Sequence, residues 1–309
     1  MPTPKAPATF RKSPGRPQLG HPALGVVAAS MLFGTSGTAR SFAPDSATSL
    51  SVAGVRLMIG AIPLLLVGLL TDGGNRPRLR AEAVAAGVAM MLFQVCFFSA
   101  MENSGVAVGT MLTIGSGPII AAAIDSLAGL RPSSRVVGAL TCALAGLAML
   151  VLGSPPEGDT SFSIVGVFFG IGAGASYAIY THLCKRLLDR GWSGTWTMAW
   201  TFTVSAVCSV VLVVPSSLEW LSTPSGWFTI SYLGLATISV AYLLYAHSLS
   251  RLTSSMVVTL TLVEPVTATT LGALVLNENI RPISWVGAAI VLAALVFVGT
   301  STEEDVPLT

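Results

Sequence analysis

The 309 residues are 52% hydrophobic and 10% charged, with a net charge of +2 and a mean hydropathy of +0.76. An ordinary soluble domain carries about 25% charged residues. A chain this apolar lacks the polar cover that water demands, so the composition excludes a soluble globular protein and makes lipid the solvent. The small net charge gives no ground for a nucleic-acid partner.

Residues 1–20 hold five prolines and four basic residues without apolar periodicity, which predicts a disordered tail. Apolar runs of membrane length then follow at about 22–40, 48–71, 81–101, 106–130, 136–153, 163–184, 195–214, 227–249, 253–275 and 282–300. A basic stretch before the first run is also the pattern of a signal peptide, but nine further spans favour an uncleaved first helix. Short connections leave no room for a soluble domain. The expectation is an all-α membrane protein of ten transmembrane helices. Thirteen of the sixteen basic residues fall on alternate connections on one side, leaving Arg40 and Arg281 on the other and Arg56 within helix 2. The positive-inside rule then places both termini in the cytoplasm. Trp192, Trp196, Trp220, Trp227 and Trp285 lie at helix ends and read as interfacial anchors, with Trp200 slightly deeper.

Pro118 in helix 4 and Pro265 in helix 9 each lie near the middle of their span, and Arg-Pro opens the helix that follows each, with a glycine shortly after (Gly138, Gly287). Two five-helix halves, 21–153 and 154–300, are expected, followed by a cytoplasmic tail at 301–309. An odd number of helices per half makes them inverted repeats. A proline within a helix removes one backbone donor, and the freed carbonyls (Ile114, Thr261) are tolerated at membrane depth where they face protein or a watery cavity. Pro118 and Pro265 are therefore expected helix breaks. Thr113 and Ser116 beside Pro118 add hydroxyls to a candidate solute pathway, although simple packing kinks would use the same prolines.

Glu264 is the sharpest single residue, because an intramembrane carboxyl is expensive. It reads either as a proton-coupling or cation-binding group or as a structural hydrogen-bonder locking helix 9. Arg56, about eight residues or roughly 12 Å into helix 2, can pair with another helix, snorkel outward, or bind a substrate carboxylate. Gln94 sits deep in helix 3. Tyr177 and Tyr180 share a face of helix 6, and Tyr242 and Tyr245 share one of helix 8, either lining a site or packing helices. Asp125 reads as a solvated or capping residue near the headgroups. His182 and His247 lie near the same side. The four cysteines sit singly in separate helices and read as small apolar residues. No spacing suggests a metal site, and the chain has no phosphate-binding loop, so no cofactor is expected.

The run YLLYAHSLSRLTSSMVVTLTLVEPVTATTLGALVLNENIRPISWVGAAIVLAA (242–294) resembles the ten-helix EamA-type branch of the drug/metabolite transporter superfamily. The resemblance is carried by the aromatic helix 8, the Glu264-Pro265 pair, the loop acid Glu278 and Gly287. FGTSG (33–37), Arg56 and GSGPIIAA (115–122) form a weaker copy in the first half. Phe33 stands where a tryptophan is frequent in that family, and Arg131 follows helix 4 with no counterpart to Glu278. The resemblance implies a secondary transporter in the cytoplasmic membrane, exporting small metabolites such as amino acids or drug-like solutes by alternating access. A lipid bilayer, a small-molecule substrate, a candidate coupling proton and a monomeric state go with it. Two other readings stand beside it: a small-solute channel, and an intramembrane serine protease of rhomboid type using GTSG (34–37). The protease needs a base within hydrogen-bond reach of Ser36, and the depths of His182 and His247 argue against one.

Overall fold

The computed structural model describes residues 21–71, 77–130, 134–153 and 163–301. The expected N-terminal tail, most of the C-terminal tail, the 154–161 loop and several of the basic residues behind the topology lie outside these. Among the described residues the secondary structure is wholly helical. We number the membrane helices α1 (His21–Arg40), α2 (Ser49–Thr71), α3 (Ala81–Ser104), α4 (Val106–Leu127), α5 (Ser134–Leu152), α6 (Ile164–Asp189), α7 (Gly194–Val213), α8 (Pro224–Leu249), α9 (Ser254–Val275) and α10 (Pro282–Ser301). Eight are long and apolar enough to cross a bilayer, and α5 and α10 carry the shorter apolar stretches Val136–Leu152 and Pro282–Phe297. Large apolar side chains such as Ile62, Leu70, Phe168, Phe228 and Leu274 are exposed around the bundle. In water such a surface would drive aggregation; in a bilayer it is the solvated surface.

Local chemistry sets the helix ends. Ser163, Ser193, Thr223 and Thr253 stand at the N-caps of α6 to α9, each accepting from the amide three residues on. α6 outruns its apolar stretch because Lys185 and Asp189 pair at 2.8 Å one turn apart and carry the helix beyond it. α9 ends at Asn277, whose φ of 55° is the left-handed conformation that asparagine tolerates, and the Glu278 amide then donates to the Gly272 carbonyl at 3.1 Å. A π-helical turn interrupts α8 at Leu235–Val240, where the Ser239 hydroxyl donates to the Gly60 carbonyl of α2 at 2.9 Å.

The packing repeats itself under exchange of helix n for n+5. α3 packs on α6 as α8 packs on α1, α4 on α6 as α9 on α1, and α3 on α7 as α8 on α2, while α2–α7 and α5–α10 map onto themselves. Small residues permit these approaches. A β-carbon on Gly34 of α1 would lie 2.6 Å from the Glu264 carbonyl of α9, and one on Gly174 of α6 would lie 2.8 Å from the Gly117 amide and 2.9 Å from the Thr113 carbonyl of α4. Each half thus begins with a helix that touches the other half's proline helix at the residue just before the proline.

The two proline helices nevertheless differ. α4 runs unbroken through Pro118, so the expected break there is absent. α9 divides into Ser254–Leu260 and Val263–Val275, joined by a turn at Thr261 and Leu262. Here the backbone tightens to three-residue bonds: Leu262 donates to Thr259 at 3.0 Å and Glu264 to Thr261 at 2.9 Å. The Thr261 carbonyl is therefore not left open by Pro265. That proline instead falls in the first turn of the second segment, where a missing N–H goes unfelt. The Gly138–Gly287 equivalence also fails. Gly287 lies against Gly146 of α5, whereas Gly138 has open space beside it. Two tryptophans read as anchors are core residues: Trp196 is 2% exposed and packs beside Gly68, and Trp220 is 1% exposed beside Val52 and Ile230. Trp227 and Trp285 are exposed.

A Gly174→Ala variant should lower the thermal midpoint of the detergent-purified protein, at a cost of about 1–3 kcal/mol, because backbone atoms of α4 block the added methyl. Gly138→Ala, with nothing near its β-carbon, should melt with the parent. Equal melting of all three would mean that the α4–α6 approach is looser than described.

Candidate functional site

A cavity of about 320 Å³ lies between α1, α2, α3, α4, α6, α8 and α9. Its mouth is at the face where α1 ends and α2 begins, marked by Arg40, Ser49, Phe98 and Met101. Arg40 donates to the Ala47 carbonyl and so braces the α1–α2 connection. The floor lies near mid-bundle, where Tyr177, Tyr242, Val258 and Glu264 line the wall. Both proline helices reach it, α4 with Thr113 and Gly117 and α9 with Thr261, Glu264 and Pro265. Gly117 stands before Pro118 as Glu264 stands before Pro265, so the cavity carries a carboxyl on one proline helix and bare backbone on the other.

Three charged side chains share this wall: Glu264, Arg56 and, nearer the mouth, Arg40. Among the described residues no hydrogen bond reaches the Glu264 carboxyl, so its reading as a hydrogen-bonded structural lock finds no partner. Arg56 donates to Gln94 Oε1 at 3.3 Å, an inter-helix pair of α2 with α3 that still leaves the guanidinium on the cavity wall. It does not snorkel outward. The Arg56 Nε, Gln94 Nε2 and Thr113 hydroxyl are buried with no partner among the described residues.

The four tyrosines divide into two tiers. Tyr177 and Tyr242 line the cavity, with the Phe93 ring tilted against Tyr177 at 5.4 Å and Phe33 against Tyr242 at 4.9 Å. Those two contacts are equivalent under exchange of the halves. Tyr180 and Tyr245 are fully buried below and do not reach the cavity. Their rings lie 6.3 Å apart, Tyr242 touches Phe202 at 4.4 Å, the Tyr245 hydroxyl bonds Thr181 at 2.7 Å, and Tyr180 reaches the Met198 sulfur at 3.3 Å. They are a floor, not a lining. Ser116 is likewise not on the wall; it packs against Gly174 and donates to the Thr113 carbonyl at 3.3 Å. Gln94 is 1% exposed and acts through Arg56. Sequence reasoning missed Phe33, Phe93, Phe97, Thr110 and Thr261 as lining residues. Only the spacing of Phe93 and Phe97 by four, one face of a helix, offered a signal.

Ser36 and Gly37 line the cavity, but neither histidine does. His247 is exposed at the opposite face, and both ring nitrogens of His182 are bonded elsewhere. Asp125, read as solvated or capping, is 4% exposed and caps the start of α9 by accepting from the Ser255 amide at 2.9 Å.

The profile of the EamA-like transporter family matches this chain twice, over residues 22–152 and 164–300. The uncharacterized transporter YwfM of Bacillus subtilis (strain 168) is 34% identical over 284 residues, covering 91% of this chain and 95% of that relative. The uncharacterized inner membrane transporter YedA of Escherichia coli (strain K12) is 25% identical over 258 residues, 82% of each chain. A solved crystal structure of a protein superposes with a TM-score of 0.76, covering 90% of this chain and 96% of its own at 16% identity, a likeness of fold alone. With its ten apolar helices and a repeated match spanning nearly its whole length, the chain is a multi-pass membrane protein and belongs to the EamA-like transporter family, within the drug/metabolite transporter superfamily.

Proposed function

We propose that this protein is a secondary active transporter that exports small amphipathic metabolites, such as amino acids or drug-like solutes, across the cytoplasmic membrane by alternating access. The observation that carries the reading is a cavity open at one face and closed at the other by packed tyrosines. Its volume is at the lower end of the range of about 300–1,000 Å³ usual for small-molecule sites. A carboxyl on α9 and a guanidinium on α2 facing one aromatic-walled space suit a solute with a cationic group, an anionic group and an apolar body. A floor of buried rings supports a gated carrier over an open channel. Proton coupling through Glu264 belongs to the same proposal, as does monomeric action. Arg78, Arg80, Lys185, Arg186, Arg190 and Arg251 cluster at the closed face. That bias supports placing the closed face and both termini in the cytoplasm.

The decisive test loads cells with candidate solutes and compares efflux with and without the protein; no solute moving faster in either direction would sink the reading. A reporter fused after Pro156 should report the extracytoplasmic side and one after Arg190 the cytoplasm, and the reverse at both would invert the orientation. In a background lacking the four native cysteines, Thr113→Cys should react with a small water-soluble thiol reagent far faster than Ser116→Cys or the lipid-facing Phe168→Cys, because only the first lines the cavity. Comparable rates at all three sites would remove the watery cavity. Glu264→Gln should remain folded and bind substrate yet lose acceleration by a pH gradient. Normal pH-driven efflux in a well-expressed Gln variant excludes Glu264 as the coupling group.

A further inference from the structure

We propose that Asp125 and His182 form a second proton-binding site, separate from the cavity, whose proton holds the closed face shut. The inference rests on the alternating-access reading given above. His182 on α6 places Nε2 2.7 Å from Asp125 Oδ1 on α4, and its Nδ1 lies 2.8 Å from the Ala178 carbonyl. A carbonyl oxygen can only accept. If Nδ1 donates to Ala178, a neutral ring has only a lone pair left for the carboxylate, and the two would repel at this distance. Both bonds exist together only when the pair holds one more proton than an ionised carboxylate and a neutral imidazole. That proton sits on the imidazolium, or on Asp125 Oδ1 donating to the ring. In either case Oδ2 still accepts from the Ser255 amide at 2.9 Å. The site thus ties α4 of the first half to α6 and α9 of the second.

Its position makes it a closing element. Ala121, Ala178 and Val258 are fully or almost fully buried and pack together from the same three helices. Each stands one turn from its partner in the proton site: Ala121 from Asp125, Ala178 from His182, and Val258 from Ser255. Val258 and neighbouring Tyr177 reach the cavity floor. The order along the bundle is cavity, apolar plug, proton site, closed face. Removing the proton sets a lone pair against an oxygen on the same three helices that must part to open that face, and the proton leaves to water there. Few other charges bear on the site. On α6, Lys185 pairs with Asp189 at 2.8 Å, and Arg190 pairs with Glu82 of α3, leaving Arg186 one turn beyond His182. The first segment of α9 carries no titratable residue, α5 has Arg135 in its first turn, and His247 in the last turn of α8 and Arg251 just beyond that helix are exposed.

Two measurements on the full chain test this without a substrate. The first is nitrogen NMR of selectively labelled histidine. The chain has three histidines, and His182→Gln assigns the signal. His182 should show two hydrogen-bearing nitrogens, or a neutral ring accepting at Nε2 from a carboxyl proton, at about pH 6, and should lose that proton on raising the pH to about 8.5. A neutral ring with no proton shared at about pH 6 overturns the proposal. The second uses Ala121→Cys in the background lacking native cysteines, with labelling normalised to an exposed Ser250→Cys to remove the intrinsic pH dependence of thiols. Normalised labelling should rise about tenfold between about pH 6 and pH 8.5, the worth of one charge-assisted hydrogen bond. His182→Gln, whose amide donates to Asp125 at any pH, should label slowly throughout, and Asp125→Ala, which offers neither an acceptor to the Ser255 amide nor a partner to the ring, should label fast throughout. A flat profile in the parent, or an undiminished pH response in His182→Gln, overturns the proposal. Failure is separable from failure of the transport reading: a chain that moves solutes with a flat profile loses only this site, and one that moves none but shows the proton and the response keeps it.

Discussion

A backbone amide or carbonyl that leaves its helix inside a bilayer finds no water to bond, and each such group costs several kcal/mol. The structure follows from how that constraint is met. Nearly all the described chain is helix, and α9 departs from regular geometry only at Thr261 and Leu262, in the middle of the protein and beside the cavity. Even there, three-residue bonds from Leu262 and Glu264 keep the backbone satisfied. The turn displaces the second segment of α9 just enough to present Glu264 and Pro265 together to the cavity. This resolves the apparent extravagance of an acid and a proline side by side: the proline occupies a first turn that needs no donor, and the acid lies on the cavity wall rather than facing lipid.

The same economy governs contacts between the halves. Lipid is as apolar as leucine, so close van der Waals approach and a few hydrogen bonds must hold the helices together. Gly34 against Glu264 and Gly174 against Gly117 are two expressions of it, placed equivalently in the two halves. Around this near-symmetric frame the functional differences are local. One proline helix is broken and the other is continuous; one offers a carboxyl and the other a glycine. A carboxyl on one proline helix with none on the other gives the cavity a polarity that two identical halves would lack.

The tyrosines show how one residue type serves two tasks by depth. Tyr177 and Tyr242 face the cavity beside Phe93 and Phe33, while Tyr180 and Tyr245, three residues further along their helices, seal the bundle beneath it. Below them the Asp125–His182 pair and the Ser255 amide draw together α4, α6 and α9. Aromatic packing and the Asp125–His182 hydrogen bond thus lie in series on the closed side, whereas the open side is braced by Arg40 reaching across its own loop to Ala47.

Hydropathy alone determined that the chain spans a membrane ten times, and the i, i+3 tyrosine pairs, Glu264 and Arg56 were legible as exceptions within apolar helices, because burial of a polar side chain in lipid is conspicuous in a linear sequence. What the sequence left open was which neighbours those side chains meet. Pro118 and Pro265 look equivalent in one dimension, yet only the turn before Pro265 interrupts its helix. Trp196 and Trp220 sit at helix ends, the usual place for anchors, but neighbouring helices cover them. Asp125 and His182 stand 57 residues apart, and Gly138 and Gly287 match in register without matching in contact. Periodicity records which solvent a residue prefers, whereas pairing across helices depends on where distant segments cross, and that was decided by the tertiary packing.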